Sequence, residues 1–316
     1  MQRLTVISRF LLAVAFSVLL CLTVMVPPAG VALAPLSPQP VLSFGLRYGV
    51  GWGAGVLLAG TALLALFFGE ALALVYGLFA LLAALLFVLL GRVRAIEYLV
   101  LGITSAMYLI TGGLMYYLYG SWSAMLSDFH SSVSSHVAGA LRVHEKMGLP
   151  QDSLELLKER MPQVIDTMMQ LLPSLFFLSL AFIVFINIVF LLRRFPQRRA
   201  EWLSLENLRE WKGPEFLVWG LIVCGFAMFV PGLETARVFA ANVLLIIASC
   251  YFAQGLAVIA YFFNKNKVPR FLRGVTYVLI VFQQIFTLLV VGLGLFDLWG
   301  DFRRLGKDKL TPSQAA

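Results

Sequence analysis

Long, uninterrupted apolar runs are the feature that most constrains the fold of this 316-residue chain. Two examples are Ala71–Leu90 and Phe176–Leu192, neither of which contains a charged residue. A helix of about 20 apolar residues spans the hydrocarbon core of a bilayer. The runs lack the alternation of apolar and polar residues that a transmembrane β-strand shows. Hydrophobic residues make up 60% of the chain and charged residues 13%, so the sequence predicts an all-α, polytopic integral membrane protein.

Eight apolar runs predict eight transmembrane helices. They lie near residues 8–26, 47–68, 71–91, 95–118, 168–192, 214–232, 236–262 and 274–298. Segment 27–43 is uncharged and contains five prolines, so it is either a short broken helix that crosses the membrane or a re-entrant loop.

The positive-inside rule favours the crossing, because only then do four basic clusters share the cytoplasmic side. These clusters are Arg3 with Arg9, Arg92 with Arg94, the arginines of 193–199, and the basic residues of 265–273. We therefore predict nine crossings of a bacterial inner membrane, with the N-terminus in the cytoplasm and the C-terminus outside. The net charge of +8 is assigned to topology and lipid headgroups, and no nucleic-acid partner is expected.

Three parts are predicted along the chain: an N-terminal transmembrane bundle over 1–119, an extracytoplasmic helical hairpin over 120–166, and a C-terminal bundle over 167–316 with a basic cytoplasmic loop at 193–213. In the hairpin, apolar residues recur every four positions and predict an amphipathic helix. They are Phe129, Val133, Val137 and Leu141. A turn at 148–150 follows, and Asp152 with Glu155 resembles a capping box for a second helix that Pro162 bends or ends.

Motifs of soluble-type catalysis are missing from the sequence. There is no Gly-x4-Gly-Lys-Ser/Thr loop for nucleotides, no His-Glu-x-x-His and no Gly-x-Ser-x-Gly. The three histidines are six and eight residues apart, which places them on different sides of a helix. We therefore expect a protein that is not an enzyme and that carries no cofactor and no metal ion.

Polar residues inside the spans are the candidates for a ligand or partner site, because such groups are costly in lipid. Gln254 shares a helix face with Tyr251, and Asn242 and Gln283-Gln284 also lie in spans. Each of these residues either forms interhelical hydrogen bonds or lines a cavity for a ligand. Glu70 follows Gly69 between two spans and is expected to be exposed on a tight turn.

The end of the last span carries an ordered charge pattern. Asp297, Asp301, Arg304 and Asp308 are spaced four, three and four residues apart, so they share one face if the helix continues beyond the membrane. Trp299 and Phe302 would then lie at headgroup level. The pattern is either an interfacial anchor with an Asp301–Arg304 pair, or a docking or ion-sensing site.

The C-terminal half resembles the YybS-like bacterial membrane proteins, which have no assigned function. The residues that carry this resemblance are Trp211-x-x-Pro214, Asn242, Tyr251-x-x-Gln254-Gly255 and the ending Gly294-x-x-Asp297-x-Trp299-x-Asp301-Phe302-Arg303. The N-terminal part is similar in layout to the substrate-binding components of energy-coupling-factor transporters and to MreD. Its shared features are a first helix, the Pro-rich segment, and a Gly-rich span beginning at Arg47.

The resemblance to transporter components implies capture of a small molecule by the Pro- and Gly-broken N-terminal helices, with energy from a partner membrane protein and its ATPases. Ala13-x-x-x-Ser17 matches the small-residue spacing of the partner contact in those components. The alternative function is a non-transporting envelope scaffold, similar to MreD, that acts through protein partners. The lipid bilayer is the one partner that both functions require.

Overall fold

The computed structural model describes residues 2–146, 151–204, 208–232 and 234–303. Within these residues the regular elements are helices, and no β-strand is present. The predicted all-α polytopic class is confirmed. The helices are α1 (Gln2–Leu22), α2 (Pro27–Leu33), α3 (Pro38–Tyr48), α4 (Val50–Phe68), α5 (Glu70–Leu89), α6 (Ile96–Tyr119), α7 (Trp122–Lys146), α8 (Gln151–Arg194), α9 (Arg199–Trp202), α10 (Leu217–Ala227), α11 (Glu234–Lys265), α12 (Arg270–Phe282) and α13 (Gln284–Gly300).

Six helices of the described residues are long and apolar enough to cross a membrane, and a bent pair raises the number to seven. Eight or nine were predicted. The predicted ninth crossing, segment 27–43, forms only short helical pieces, and the rest of the difference has two causes in the C-terminal half. The run at 214–232 forms only the 11-residue α10, and the run at 274–298 is broken at Gln283 into α12 and α13, which meet at 103°.

The described chain divides into two compact units, whose bounds differ from those of the three predicted segments. Unit 1 comprises residues 1–125 and 179–204, and unit 2 comprises residues 126–178 and 205–316. The division into two bundles and a hairpin stays a prediction. Each unit is described by itself below.

In unit 1, the Pro-rich segment 26–48 runs antiparallel to α1. The Ser17 hydroxyl, in the middle of α1, donates to the Ser37 carbonyl at 2.7 Å. Closer to the start of α1, Arg9 donates to the hydroxyl of Tyr48 at 2.6 Å. Segment 26–48 therefore returns the chain to the level at which α1 began, in three short helical pieces instead of one helix.

Proline breaks this segment because it lacks a backbone N–H, and buried amides satisfy the carbonyls that are left over. The fully buried Asn187 of α8 donates through Nδ2 to the carbonyl of Pro35 at 2.8 Å. Gln39 donates in turn to Oδ1 of Asn187 at 2.8 Å and to its carbonyl at 2.9 Å. Side chains thus replace the missing helix hydrogen bonds of the segment.

The predicted amphipathic helix of the hairpin is present as α7, and the second arm is the first part of α8. Pro162 does not end this arm, because α8 continues through Pro162 and Pro173 to Arg194. Salt bridges of 3.4 Å and 3.5 Å join the two arms, from His130 to Asp166 and from Lys158 to Glu145. The predicted turn at 148–150 lies outside the described residues.

Candidate functional site

A buried ion pair at the end of α13 is the centre of the polar site in unit 2. Arg303 donates through one terminal nitrogen to Oδ2 of Asp297 at 2.6 Å, and both side chains are fully buried. The amide of Gln254 on α11 donates to the same carboxylate oxygen at 3.2 Å. One oxygen of Asp297 therefore joins α11 to the residues that follow α13.

The same two partners of Asp297 also hold the irregular segment 208–213, which precedes α10. Arg303 donates through its other terminal nitrogen to the carbonyls of Arg209 at 2.7 Å and Trp211 at 3.0 Å. Gln254 accepts a hydrogen bond from the backbone N–H of Gly213 at 3.0 Å. Non-helical backbone is tolerated among apolar helices only when its polar groups are paired, and this cluster pairs three of them.

Close packing of α11 against α13 places these groups within reach of one another. A Cβ atom at Gly294 would collide with the carbonyl oxygen of Tyr251, and one at Gly255 would collide with the carbonyl oxygen of Val290. Glycine at both positions lets the two backbones touch, as small residues do between membrane helices. The side chain of Tyr251 is also buried at this contact.

Three buried polar atoms of the site have no hydrogen-bond partner among the described residues. They are Oδ1 of Asp297, Nε of Arg303 and the hydroxyl of Tyr251. A buried carboxylate oxygen without a partner is costly, because burial removes it from water. Asp297 thus keeps the capacity to accept one more hydrogen bond from a water molecule or from a donor group of a ligand.

The predicted charged face of the last span is not formed as expected. Helix α13 ends at Gly300, and Asp301 takes a left-handed conformation (φ 35°), so it does not extend the face of Asp297. Asp301 instead forms a 2.7 Å salt bridge with Lys212, in which both side chains are about one-third exposed. Arg304 and Asp308 lie outside the described residues, and the predicted Asp301–Arg304 pair is not described.

Asn242, another predicted site residue, forms hydrogen bonds with backbone groups that α8 leaves free next to a proline. Its Oδ1 accepts the backbone N–H of Ser174 at 3.0 Å, and its Nδ2 donates to the carbonyl of Gln170 at 2.9 Å. These two groups would bond to each other in a regular helix, and Pro173 lies between them. The amide of Asn242 is therefore inserted into the helix ladder, which is a structural role.

Glu70, also a predicted candidate, belongs to unit 1 and stands apart from these groups. It is the first residue of α5 and is exposed, directly after Gly69 with φ 91°. A positive φ favours glycine, so the tight turn follows from the sequence Gly-Glu. The structure agrees with the expected exposed turn.

Sequence reasoning missed Arg303 as the partner of Asp297, and it missed Asn187 altogether. A separation of six residues does not place two side chains on one helix face, so helical spacing could not reveal the Asp297–Arg303 pair. For Asn187 a signal existed, because it is an isolated amide in the apolar run Phe176–Leu192.

The break between α12 and α13 exposes a further pair of polar residues. Gln283 has an extended backbone (φ −111°, ψ 107°) and ends α12, and Gln284 begins α13. Both side chains are exposed and make no hydrogen bond within the described part of the chain. The hydroxyl of Thr287 donates to the carbonyl of Ile280 at 2.6 Å and so satisfies one carbonyl at the break.

These features define a class: a helical, polytopic membrane protein in which polar side chains pair the backbone groups that irregular segments leave free. The chain belongs to the family described as "Predicted membrane protein (DUF2232)", whose family model matches residues 14–298. No curated protein and no solved structure matches the chain.

Proposed function

We propose that the protein is a transport-related membrane component that binds a small polar molecule at the break between α12 and α13. The observation that carries the proposal is the pair Gln283-Gln284 at this break. The proposal assigns no catalytic activity to the chain.

The first support comes from the helix geometry. Helices α12 and α13 are together long and apolar enough to cross a membrane, but they are bent by 103° at Gln283. Interrupted helices of this kind form the substrate and ion sites of many transporters, because the break frees backbone groups for the solute. Irregular backbone at membrane depth requires protein or water around it, since lipid cannot pair its polar groups.

The second support comes from a comparison of the amide side chains. Asn187, Asn242, Gln254 and Gln39 all form hydrogen bonds to backbone or side-chain groups of their own unit. The side chains of Gln283 and Gln284 do not, although both lie between two apolar helices of the chain and are exposed. An amide without a partner costs free energy in lipid, so these two are the amides that a polar solute or water would stabilise.

The Pro-rich segment 26–48 is not the binding position in this proposal. Its carbonyls at Ala34, Pro35 and Ser37 already accept hydrogen bonds from side chains. The similarity in layout to energy-coupling-factor components supports the transport class and suggests an energising ATPase partner, since the sequence lacks a nucleotide-binding loop of the Gly-x4-Gly-Lys-Ser/Thr type. The resemblance to the YybS-like proteins names no activity.

A ligand screen tests the proposal. The purified protein in detergent is screened by thermal unfolding against a panel of vitamins and metabolites, and we expect at least one compound to raise the melting temperature. The double variant Gln283→Leu with Gln284→Leu should lose this shift. The control variant Gln163→Leu changes an exposed glutamine of the hairpin and should retain it. A panel without any stabilising compound, or a shift that survives in the double variant, would refute the proposal.

Water access to the break can be measured separately. A single cysteine at position 283, in a background without Cys21, Cys224 and Cys250, should react with a water-soluble maleimide in intact membranes. A cysteine at the exposed, apolar position 289 of α13 should react far more slowly. Equal, slow labelling of both positions would show that the break faces lipid.

A second candidate function, an envelope scaffold, is favoured by the apolar side chains that the hairpin leaves exposed. Phe129 of α7 and Leu156 of α8 are 41% and 56% exposed. Asp297 cannot serve as the docking residue, because it is fully buried. A scaffold should be crosslinked to one stoichiometric membrane partner through the hairpin, and Phe129→Ser with Leu156→Ser should release that partner. Unchanged crosslinking in this variant would exclude docking through the hairpin.

A further inference from the structure

Unit 1 carries a dense group of arginines on two connected loops. The arginine patch consists of Arg92, Arg94, Arg193, Arg194, Arg198 and Arg199. The loop between α5 and α6 supplies the first two, and the end of α8 with the residues after it supplies the other four. Only two acidic residues, Glu97 and Glu201, lie in the same stretches of chain.

Specific contacts join the two loops, so the patch is a built surface. Arg94 donates to the carbonyl of Ala200 at 2.7 Å. The backbone N–H of Ser204 donates to the carbonyl of Arg94 at 2.9 Å. These contacts fix the spacing between the arginines of one loop and those of the other.

Apolar anchors hold the second loop against unit 1. The side chains of Phe195, Trp202 and Leu203 are 6%, 5% and 2% exposed, and the rings of Phe195 and Trp202 pack edge to face. The ring of Trp202 also lies next to Gly91 of the first loop, because a Cβ atom added at Gly91 would be 3.6 Å from Cδ1 of Trp202. Around these inward side chains, the arginines of the patch are exposed at 92, 94, 193 and 194 and half-buried at 198 and 199.

The arginine patch lies at one end of unit 1, where several apolar helices begin or end. Arg47, at the end of α3, stacks over the ring of Phe195 at 5.9 Å, and Tyr48 next to it accepts a hydrogen bond from Arg9 at the start of α1. Residues 11–46, which lead away from this end and back to it, contain no charge. At the far end of α4, the turn into α5 carries the charged residue Glu70. In a membrane protein such an end lies at the level of the lipid headgroups.

We infer that the arginine patch binds the phosphate of an anionic phospholipid at the membrane surface. Several guanidinium groups on a fixed surface can share the oxygens of one phosphate, because each presents a planar set of N–H donors. The exposed side chains of Arg193 and Arg194 present donors of this kind at the surface of the patch. The apolar helices directly beside the patch offer a surface for the acyl chains, which a free phosphate does not need.

The test compares two lipids and one soluble anion on the purified full chain. Phosphatidylglycerol, phosphatidylcholine or inorganic phosphate is added to the protein in detergent, and thermal unfolding and native mass spectrometry record stabilisation and retained lipid. We expect phosphatidylglycerol to stabilise the protein more than phosphatidylcholine and to be retained preferentially. Inorganic phosphate at the same concentration should have little effect. Equal effects of the two lipids, or an effect of inorganic phosphate equal to that of phosphatidylglycerol, would overturn the assignment.

Variants locate the site. The pair Arg198→Gln with Arg199→Gln should weaken the preference for phosphatidylglycerol about tenfold. A matched pair, Lys265→Gln with Lys267→Gln, removes the same charge from exposed positions of unit 2 and should leave the preference unchanged. If the first pair prevents folding, Arg193→Gln with Arg194→Gln replaces it, because both side chains are exposed. A preference that persists in every arginine variant would contradict the inference.

Discussion

Removal of Arg303 alone should destabilise unit 2 strongly, and this is the most direct test of the buried polar site. The variant Arg303→Met keeps a long, flexible side chain but deletes the charge and its donors. Asp297 then remains fully buried with Gln254 as its single partner, and the carbonyls of Arg209 and Trp211 lose their donor. Removal of one partner from a buried ion pair lowers the free energy of unfolding by about 3–5 kcal/mol. For a unit of this size that loss corresponds to a decrease of roughly 10 °C in melting temperature.

The double variant Asp297→Leu with Arg303→Met gives the sharper result, because it removes both charges. The free energy of unfolding should recover in part, since no buried charge is left without a counterion. A residual loss of about 1–3 kcal/mol is expected from the unpaired carbonyls and the amide of Gln254. The double variant should therefore be more stable than Arg303→Met, although it carries one more substitution.

Thermal and denaturant unfolding in detergent measure these differences, and a control ion pair calibrates them. Lys212→Met breaks the salt bridge to Asp301, which has a similar length of 2.7 Å but is about one-third exposed on both sides. Exposed pairs contribute little, so we expect a loss below about 1 kcal/mol. The reasoning is refuted if Arg303→Met costs no more than Lys212→Met, or if the double variant is no more stable than Arg303→Met.

Three further substitutions test the packing and the repaired breaks. Gly294→Ala should separate α11 from α13 and lower stability by about 1–3 kcal/mol in thermal unfolding. In the control Gly292→Ala, the added Cβ atom meets nothing within 4 Å, so this variant should be nearly neutral. Equal effects of the two variants would argue against the close contact. Asn242→Ala should cost about 1–2 kcal/mol in the same assay, because it leaves the N–H of Ser174 without an acceptor, and an unchanged melting temperature would contradict this role. Asn187→Ala should raise the rate of amide hydrogen exchange across residues 34–48 by about tenfold, and unchanged protection there would show that the Pro-rich segment is held by other contacts.

The class of the fold was predictable from the sequence because it depends on a local property, the length of apolar runs. Helices α4, α5 and α6 begin and end close to the predicted bounds for this reason. The break at Gln283 was not predictable, since hydropathy remains high on both sides of the two glutamines. Helix length within an apolar run depends on backbone hydrogen bonding, which hydropathy does not report.

The sequence singles out buried polar residues of unit 2 by their type, but it does not reveal how they pair. Buried amides and carboxylates are conspicuous in apolar runs, so Gln254 and Asp297 could be selected from the sequence. The partner of Asp297 could not, because Arg303 folds back after the helix end and the 209–213 backbone comes from a distant part of the chain. Such contacts are set by tertiary packing and leave no periodic signal.

The polar residues within the apolar helices differ in what they pair with, and this difference indicates where a functional site can lie. Asn187 pairs a carbonyl of the Pro-rich segment, and Asn242 pairs the helix groups freed next to Pro173. Gln254 pairs the irregular segment before α10, and Asp297 orients Gln254. A polar residue inside the membrane is normally a candidate for a functional site. It is a weaker candidate where its side chain forms hydrogen bonds with backbone groups that the protein's own helices leave free.

Among the polar groups of the described residues that have no partner, two adjoin the ends of α13: the free oxygen of Asp297, and the amides of Gln283 and Gln284. Both belong to α13 or adjoin it, near its end and at its beginning. Helix α13 has 17 residues and rises about 25 Å, less than the roughly 30 Å of a hydrocarbon core. In the proposed function, α13 takes the role of an interrupted transporter helix, because it is short, packs against α11 at a glycine and carries polar groups without partners toward both ends. The packing therefore directs the search for a ligand to α13.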